Sequence, residues 1–149
     1  MIQRSSEHRH LHGTVHIQED ERTRPRAVES GCEKSIFMVE DDDNIGTFLV
    51  LALREETPYA VRWVSDGFEA LRAIREDKPD LLILDYQLPR MNGIDLYNKI
   101  HTLPVFDHIP VIMMSAKLPK REIEKRTLVG ISKPFELGEL FDTLDQFLA

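Results

Sequence analysis

Charged residues follow three separate apolar runs in this sequence. Asp85 comes directly after four apolar residues, the acidic cluster 40–43 follows a second run, and Lys133 comes just after a third. Short runs that are apolar on both faces are typical of buried parallel strands. Open sheets of such strands place their ligands at the carboxyl ends of the strands. Carboxylates and an ammonium group meeting at one edge indicate a site for a divalent cation and a phosphoryl group.

The acidic residues of this edge have the chemistry of a magnesium site. Mg²⁺ prefers oxygen ligands, keeps several waters and binds through a few carboxylates together with phosphate oxygens. Asp41 and Asp85 can supply ligands directly, and Glu40 can act through a water. The main-chain carbonyl of Gln87, just after Asp85, can fill another position. The sequence therefore predicts a magnesium site formed by these four residues.

The remaining polar residues of the edge suit phosphoryl transfer. A carboxylate such as Asp85 can act as a nucleophile and form a labile acyl phosphate. Lys133 can pair as a point charge with the phosphoryl oxygens. Ser115, directly after a further apolar run, offers a hydroxyl at the same edge.

Each of these features also has an ordinary structural explanation. An acidic pair after a strand is more often a helix N-cap, and Asp42 or Asp43 can serve that purpose. Lys133-Pro134 on its own is more often a solvated turn, and a single aspartate at a strand end is more often a turn residue. Their placement at separate strand ends is much more specific than any one of them.

Length and composition are those of one globular domain. The chain has 149 residues, of which 42% are hydrophobic and 30% charged. It contains no apolar run long enough to span a membrane and no apolar signal-peptide core. The single cysteine, Cys32, excludes an intramolecular disulfide framework. These features favour a cytoplasmic location, and the net charge of −7 argues against direct DNA binding.

The N-terminal segment differs from the rest of the chain. Residues 1–34 carry no net charge and no sustained apolar periodicity, which predicts a disordered tail. The segment contains four closely spaced histidines, which are His8, His10, His12 and His16. Together they could bind a metal weakly. A solvated tail is the more ordinary interpretation. The folded domain is predicted to cover residues 35–149.

Strand and helix patterns alternate from Ser35 onward. Strands are predicted over 36–39, 59–64, 81–84, 111–114 and 128–132, with the second near a sheet edge. Helices are predicted over 43–56, 68–76, 94–103, 119–126 and 136–148. Such alternation predicts an α/β fold, with a doubly wound parallel sheet covered by helices on both faces.

Helical spacing predicts which side chains of three helices face the core. For the first helix these are Ile45, Phe48, Leu49, Ala52 and Leu53. For the second they are Phe68, Leu71 and Ile74, and for the last they are Leu137, Leu140, Phe141, Leu144 and Phe147.

Residues 35–149 resemble the receiver domain of two-component response regulators. The stretches that carry the resemblance are 37–42, 84–93, 114–116 and 132–135, together with Asp66-Gly67 and the following Glu69-Ala70-Leu71. The resemblance implies a flavodoxin-like (βα)5 fold with strand order 2-1-3-4-5. It implies that Asp85 is the phosphoacceptor and that Glu40, Asp41 and the carbonyl of Gln87 complete a Mg²⁺ site. It also implies that Ser115 is the switch hydroxyl, that Lys133 is the functional lysine, and that Pro134 follows a cis peptide bond.

Two features depart from the family pattern. Receivers usually carry an aromatic residue three positions before the lysine, where this chain has Gly130. The segment between Ala116 and Lys133 is several residues shorter than usual, which predicts a shortened fourth helix. Receivers commonly use the face formed by that helix, the fifth strand and the fifth helix for homodimers and partners, so this chain is expected to use another face or a remodelled version of that one.

The resemblance implies a switch rather than an enzyme. The expected phosphoryl donor is a sensor histidine kinase or a histidine phosphotransfer protein. No output domain follows the receiver pattern, which predicts a stand-alone receiver that acts on an unknown downstream protein. One alternative is an interaction module of the same fold that does not depend on phosphorylation. A second is a magnesium-dependent phosphohydrolase, although Gln87 stands where the best-known such family has an acidic proton donor.

Overall fold

The computed structural model describes residues 33–126 and 128–149. Its strands form a five-stranded parallel sheet. They are β1 (Ser35–Val39), β2 (Ala60–Val64), β3 (Leu81–Asp85), β4 (Val111–Ser115) and β5 (Leu128–Ser132). The sheet order is β2-β1-β3-β4-β5, and β2 lies at an edge. The predicted flavodoxin-like order is therefore confirmed.

Helices connect the strands, as the alternating pattern predicts. They are α1 (Asp43–Glu56), α2 (Gly67–Ala73), α3 (Gly93–His101), α4 (Lys120–Glu124) and α5 (Leu137–Leu148), and a 3-10 turn covers Pro104–Phe106. The fourth helix has only five residues, so it is short as predicted. The tail histidines and Cys32 lie outside the described residues. Within the described part of the chain, no helix has the length and apolarity needed to cross a membrane.

Alternation along the strands divides the core into two layers. Phe37 and Val39 of β1 face the layer that contains α2 and α3. Ile36 and Met38 of the same strand face the layer that contains α1 and α5. Successive side chains of a strand point to opposite faces, so strands with apolar residues on both faces are buried throughout. The helices therefore hold β1, β3 and β4 in the middle of the molecule, with their carboxyl ends at one edge.

The orientation of α1 differs from the prediction. Ile45 and Phe48 were predicted to face the core, but they are 38% and 57% exposed. Leu49, Ala52 and Leu53 are buried as expected.

Trp63 explains this rotation of α1. A Cβ atom on Gly46 would overlap the Trp63 ring, so the helix approaches β2 through its glycine. The buried positions of α1 are accordingly Gly46, Leu49, Val50, Ala52 and Leu53. Ile45 and Phe48 lie at the margin of that strip and remain in contact with solvent.

Two other phenylalanines were also wrongly predicted to face the core. Phe68 is 43% exposed, because α2 packs through Gly67, Ala70 and Ala73. The guanidinium of Arg90 lies 4.7 Å above the Phe68 ring. In α5 the buried residues follow a narrower strip at Leu140, Leu144 and Leu148, which leaves Phe147 41% exposed.

Candidate functional site

The polar residues of the predicted site lie at the carboxyl edge of the sheet. Glu40 directly follows β1, Asp85 and Ser115 end β3 and β4, and Lys133 directly follows β5. Asp85 is in register with Met114, and Ser115 with Ser132. Parallel pairing in this register brings the strand ends together, as the sequence predicts.

Three carboxylates form a compact group at this edge. Glu40, Asp41 and Asp85 each offer an oxygen, and these oxygens all lie within 4.8 Å of one another. Glu40 and Asp85 are only 1% and 4% exposed, whereas Asp41 is open to solvent. The group combines hard oxygen donors with one exposed side, and this donor set fits Mg²⁺, which binds through few carboxylates and keeps waters.

Lys133 joins the two buried carboxylates. Its ammonium nitrogen lies 3.3 Å from Asp85 Oδ1 and 3.4 Å from Glu40 Oε1. The Lys133 side chain is 21% exposed, so the ion pairs are partly shielded from water. The structure thus brings Glu40, Asp41, Asp85 and Lys133 into one cluster.

The electrostatics of the two buried carboxylates are strongly perturbed. Burial, reinforced by the charge of Asp85, raises the pKa of Glu40 from 4.5 to about 7. Burial also raises the pKa of Asp85, while the ammonium of Lys133 opposes that rise. Two carboxylates at close range disfavour double ionisation, so the pair retains a proton more readily than isolated side chains do.

The neighbouring aspartate, Asp42, has a structural role. Its Oδ1 accepts hydrogen bonds from the backbone N–H groups of Asn44 and Ile45, at 2.9 and 3.0 Å, and so caps α1. Its own N–H donates to Glu40 Oε2 at 3.1 Å. The N-cap explanation is therefore correct for Asp42, and the cap also holds the Glu40 carboxylate in place.

Trp63 is a neighbour of the site that the sequence pattern does not predict. Its indole N–H donates to the backbone carbonyl of Glu40 over 2.9 Å. The backbone N–H of Glu40 in turn donates to the carbonyl of Val64 at 3.1 Å. These two bonds attach the acidic turn to the end of β2. No local sequence pattern predicts this contact, because Trp63 and Glu40 are 23 residues apart.

The loop after β3 approaches Asp85 closely. The N–H of Gly93 donates to the carbonyl of Tyr86 at 2.8 Å. A Cβ on Gly93 would lie 2.8 Å from the carbonyl oxygen of Asp85, so a glycine is needed at this position. Gln87 is exposed in the loop, and its backbone amide group acts to lower the pKa of the Asp85 carboxylate, against the larger effect of burial.

Ser115 is placed at the edge, with its hydroxyl engaged in a local turn. Ser115 is 1% exposed, and its hydroxyl donates to the carbonyl of Lys117 at 3.1 Å. The backbone carbonyl of Ser115 accepts a bond from the N–H of Lys133 at 2.8 Å. The peptide bond between Lys133 and Pro134 is cis, as the resemblance implies.

Residues 36–145 match the model of the response regulator receiver domain family. The chain is 36% identical over 109 residues to the DNA-binding response regulator MtrA of Mycobacterium tuberculosis (strain H37Rv). That match covers 70% of this chain and 46% of MtrA, so the chain spans about half the length of this relative.

Two further matches cover nearly all of the other protein. The polar-differentiation response regulator DivK of Brucella anthropi is 32% identical over 119 residues, which cover 77% of this chain and 96% of DivK. The receiver domain of the sensor histidine kinase PA1611 from Pseudomonas aeruginosa, solved with a magnesium ion in its active-site cleft, superposes with a TM-score of 0.69. It is 26% identical, and the match covers 78% of this chain and 98% of that structure. The chain belongs to the response regulator receiver domain family of two-component systems.

Proposed function

We propose that this receiver accepts a phosphoryl group on Asp85 from the phosphohistidine of a sensor histidine kinase or a histidine phosphotransfer protein. The observation that carries the proposal is the position of the Asp85 carboxylate, which lies 3.3 Å from the Lys133 ammonium and within the three-carboxylate group. A nucleophilic carboxylate beside a cation and a candidate metal site has the components that phosphoryl transfer requires.

The proposed cofactor is Mg²⁺. Glu40, Asp41, Asp85 and the main-chain carbonyl of Gln87 would hold it. When bound, Mg²⁺ supplies positive charge against the oxygens of the incoming phosphoryl group. The magnesium ion in the PA1611 receiver structure supports this assignment, as does the oxygen-only donor set of the described site.

The chain's own residues have distinct parts in the proposed step. An oxygen of Asp85 forms a bond to phosphorus while the bond between phosphorus and the donor's imidazole nitrogen breaks. The electron pair of the broken bond returns to the imidazole, which remains with the donor protein. Lys133, already paired with Asp85, would stay beside the new acyl phosphate as a point charge. Ser115 would then turn its hydroxyl toward a phosphoryl oxygen.

The consequence is a switch that acts through contact with another protein. A bound phosphoryl group shifts the population between two conformations, provided that it binds one of them better. The further elements of this proposal are a stand-alone receiver in the cytoplasm, no direct DNA binding, an unknown downstream protein and a possible homodimer.

The test is phosphorylation by a small donor. The protein is incubated with acetyl phosphate and Mg²⁺, and the intact mass is measured for wild type, Asp85→Asn and Asp95→Asn. Asp95 provides a matched control, because it is an exposed aspartate in the first turn of α3. We expect one added phosphoryl group in wild type and in Asp95→Asn, and none in Asp85→Asn or without Mg²⁺.

Other outcomes would favour the alternative functions. An adduct that persists in Asp85→Asn would contradict the assignment of the acceptor. No adduct, together with no binding of beryllofluoride, would favour an interaction module that does not depend on phosphorylation. Sustained turnover of a generic phosphate ester would favour a phosphohydrolase.

A further inference from the structure

Gly130 in the middle of β5 gives space to two side chains from outside the strand. A Cβ on Gly130 would lie 3.1 and 3.2 Å from the two terminal methyl carbons of Leu118. It would lie 2.9 Å from the terminal methyl of Ile123 in α4. Distances this short are below normal van der Waals contact, so Leu118 and Ile123 pack against the bare backbone of β5. The position of Leu118 therefore depends on the missing side chain at Gly130.

Leu118 directly follows a hydrogen-bonded turn that holds the Ser115 hydroxyl. The N–H of Lys117 donates to Ser115 Oγ at 3.0 Å, and the hydroxyl donates to the carbonyl of Lys117 at 3.1 Å. A serine hydroxyl carries one proton, so it cannot donate to a second acceptor at full strength while this bond is kept. The Lys117 carbonyl that accepts this bond belongs to the peptide unit that joins Lys117 to Leu118, so the packing of Leu118 helps to fix the position of the acceptor.

We propose that Leu118 is a positioning residue for Ser115. Its contact with Gly130 holds the Ser115–Lys117 turn closed. The hydroxyl becomes free to donate to a phosphoryl group on Asp85 when Leu118 leaves Gly130. The proposal rests on the proposed function of Asp85. It adds that Leu118 opposes the movement of the Ser115 hydroxyl, and that this opposition ends when Leu118 leaves Gly130.

The contact between Leu118 and Gly130 should affect the binding of a phosphoryl mimic in a definite direction. A contact that exists only in the closed form stabilises that form and weakens binding of any ligand that needs the open form. Removing the Leu118 contact should therefore strengthen binding of a phosphoryl mimic. Crowding Leu118 with a methyl group at position 130 should act in the same direction, because it disfavours the same closed contact.

The direct test is nuclear magnetic resonance on the full chain with Mg²⁺, before and after addition of beryllofluoride. Binding is verified by a shift of the Gln87 amide resonance, because this backbone group lies two residues after Asp85 and interacts with its carboxylate. In the Mg²⁺ form we expect a nuclear Overhauser effect between the Leu118 methyl groups and the Gly130 α-protons. We expect this cross-peak to disappear when beryllofluoride binds.

Variants test the coupling independently. We expect Leu118→Ala to lower the dissociation constant of beryllofluoride by about fivefold, which is the lower end of usual coupling between sites. Gly130→Ala should lower it as well. Gly138→Ala is the matched control for the glycine, because a Cβ there meets nothing within 4 Å. Leu51→Ala, at a leucine that is 49% exposed on α1, is the control for the leucine.

The outcomes separate this inference from the function on which it rests. If the Gln87 amide does not shift in wild type, the acceptor function itself fails, and the inference fails with it. If the amide shifts but the cross-peak between Leu118 and Gly130 persists, the acceptor function stands and the positioning role is wrong. An unchanged dissociation constant in Leu118→Ala would also overturn the positioning role.

Discussion

The indole N–H of Trp63 donates to the backbone carbonyl of Glu40 over 2.9 Å, which links the chain's single tryptophan to the acidic turn of the site. The bond is buried, and it lies one residue away from the exposed carboxylate of Asp41. A change in charge at the site should therefore alter the surroundings of the indole. Fluorescence of Trp63 should therefore report Mg²⁺ binding at the site.

Asp41→Asn should weaken Mg²⁺ binding by about tenfold or more, because it removes a carboxylate from the three-oxygen group. The change is measured by titrating Mg²⁺ and following Trp63 fluorescence. Asp43→Asn is the matched control, since it makes the same change of charge two residues away in the first turn of α1. Equal weakening in both variants would point to general electrostatics and against a direct ligand at Asp41.

Lys133→Met should tighten Mg²⁺ binding. The ammonium of Lys133 lies 3.3 Å from Asp85 and 3.4 Å from Glu40, so it competes with a cation for the same oxygens. Removing it should lower the dissociation constant by roughly threefold to tenfold at low ionic strength. Trp63 fluorescence reports the titration. Lys125→Met, where the ammonium is paired with Glu122 at 3.7 Å on the surface, should leave the constant unchanged.

Removal of Mg²⁺ should make stability fall as pH rises. Burial raises the pKa of Glu40 in the folded protein to about 7, whereas its ordinary value is 4.5. Between these values the folded state holds a proton that the unfolded chain has lost, so the free energy of unfolding decreases from about pH 5 to just above pH 7. The raised pKa of Asp85 acts in the same direction. Each unit of pKa shift corresponds to about 1.4 kcal/mol, so the total loss should be a few kcal/mol.

Urea unfolding in the presence of a chelator, followed by circular dichroism between pH 5 and pH 8, measures this loss. Glu40→Gln should flatten the dependence, because glutamine does not titrate. Glu56→Gln, at the exposed end of α1, should keep the wild-type slope. Asp85 should keep a smaller slope in Glu40→Gln. An undiminished slope in this variant would assign the titration to groups other than Glu40.

Gly46→Ala should destabilise the fold by about 2 kcal/mol, since a Cβ there overlaps the Trp63 ring and forces α1 away from β2. Urea unfolding measures the difference from wild type. Gly138→Ala introduces the same methyl group with nothing within 4 Å, so it should be neutral or slightly stabilising. A loss below about 0.5 kcal/mol in Gly46→Ala would show that the rotation of α1 has another cause.

Predictions made from the sequence succeeded best for strands and strand ends. Runs that are apolar on both faces correspond to β1, β3 and β4, and the polar residues that follow them meet at one edge. Predictions of which helix face is buried were less accurate. Ile45, Phe48, Phe68 and Phe147 fit an apolar helical face by spacing, yet all four are exposed.

The fold, and the set of polar residues that meet at the sheet edge, could be predicted from the sequence, because strand periodicity and the residue types at the strand ends are local properties. The rotation of α1 could not be predicted in this way, because it depends on the contact between Gly46 and Trp63 across two elements. Tertiary packing also decides that Trp63 supports Glu40 and that Leu118 covers Gly130. These contacts depend on steric fit between side chains far apart in the chain, which local periodicity does not contain.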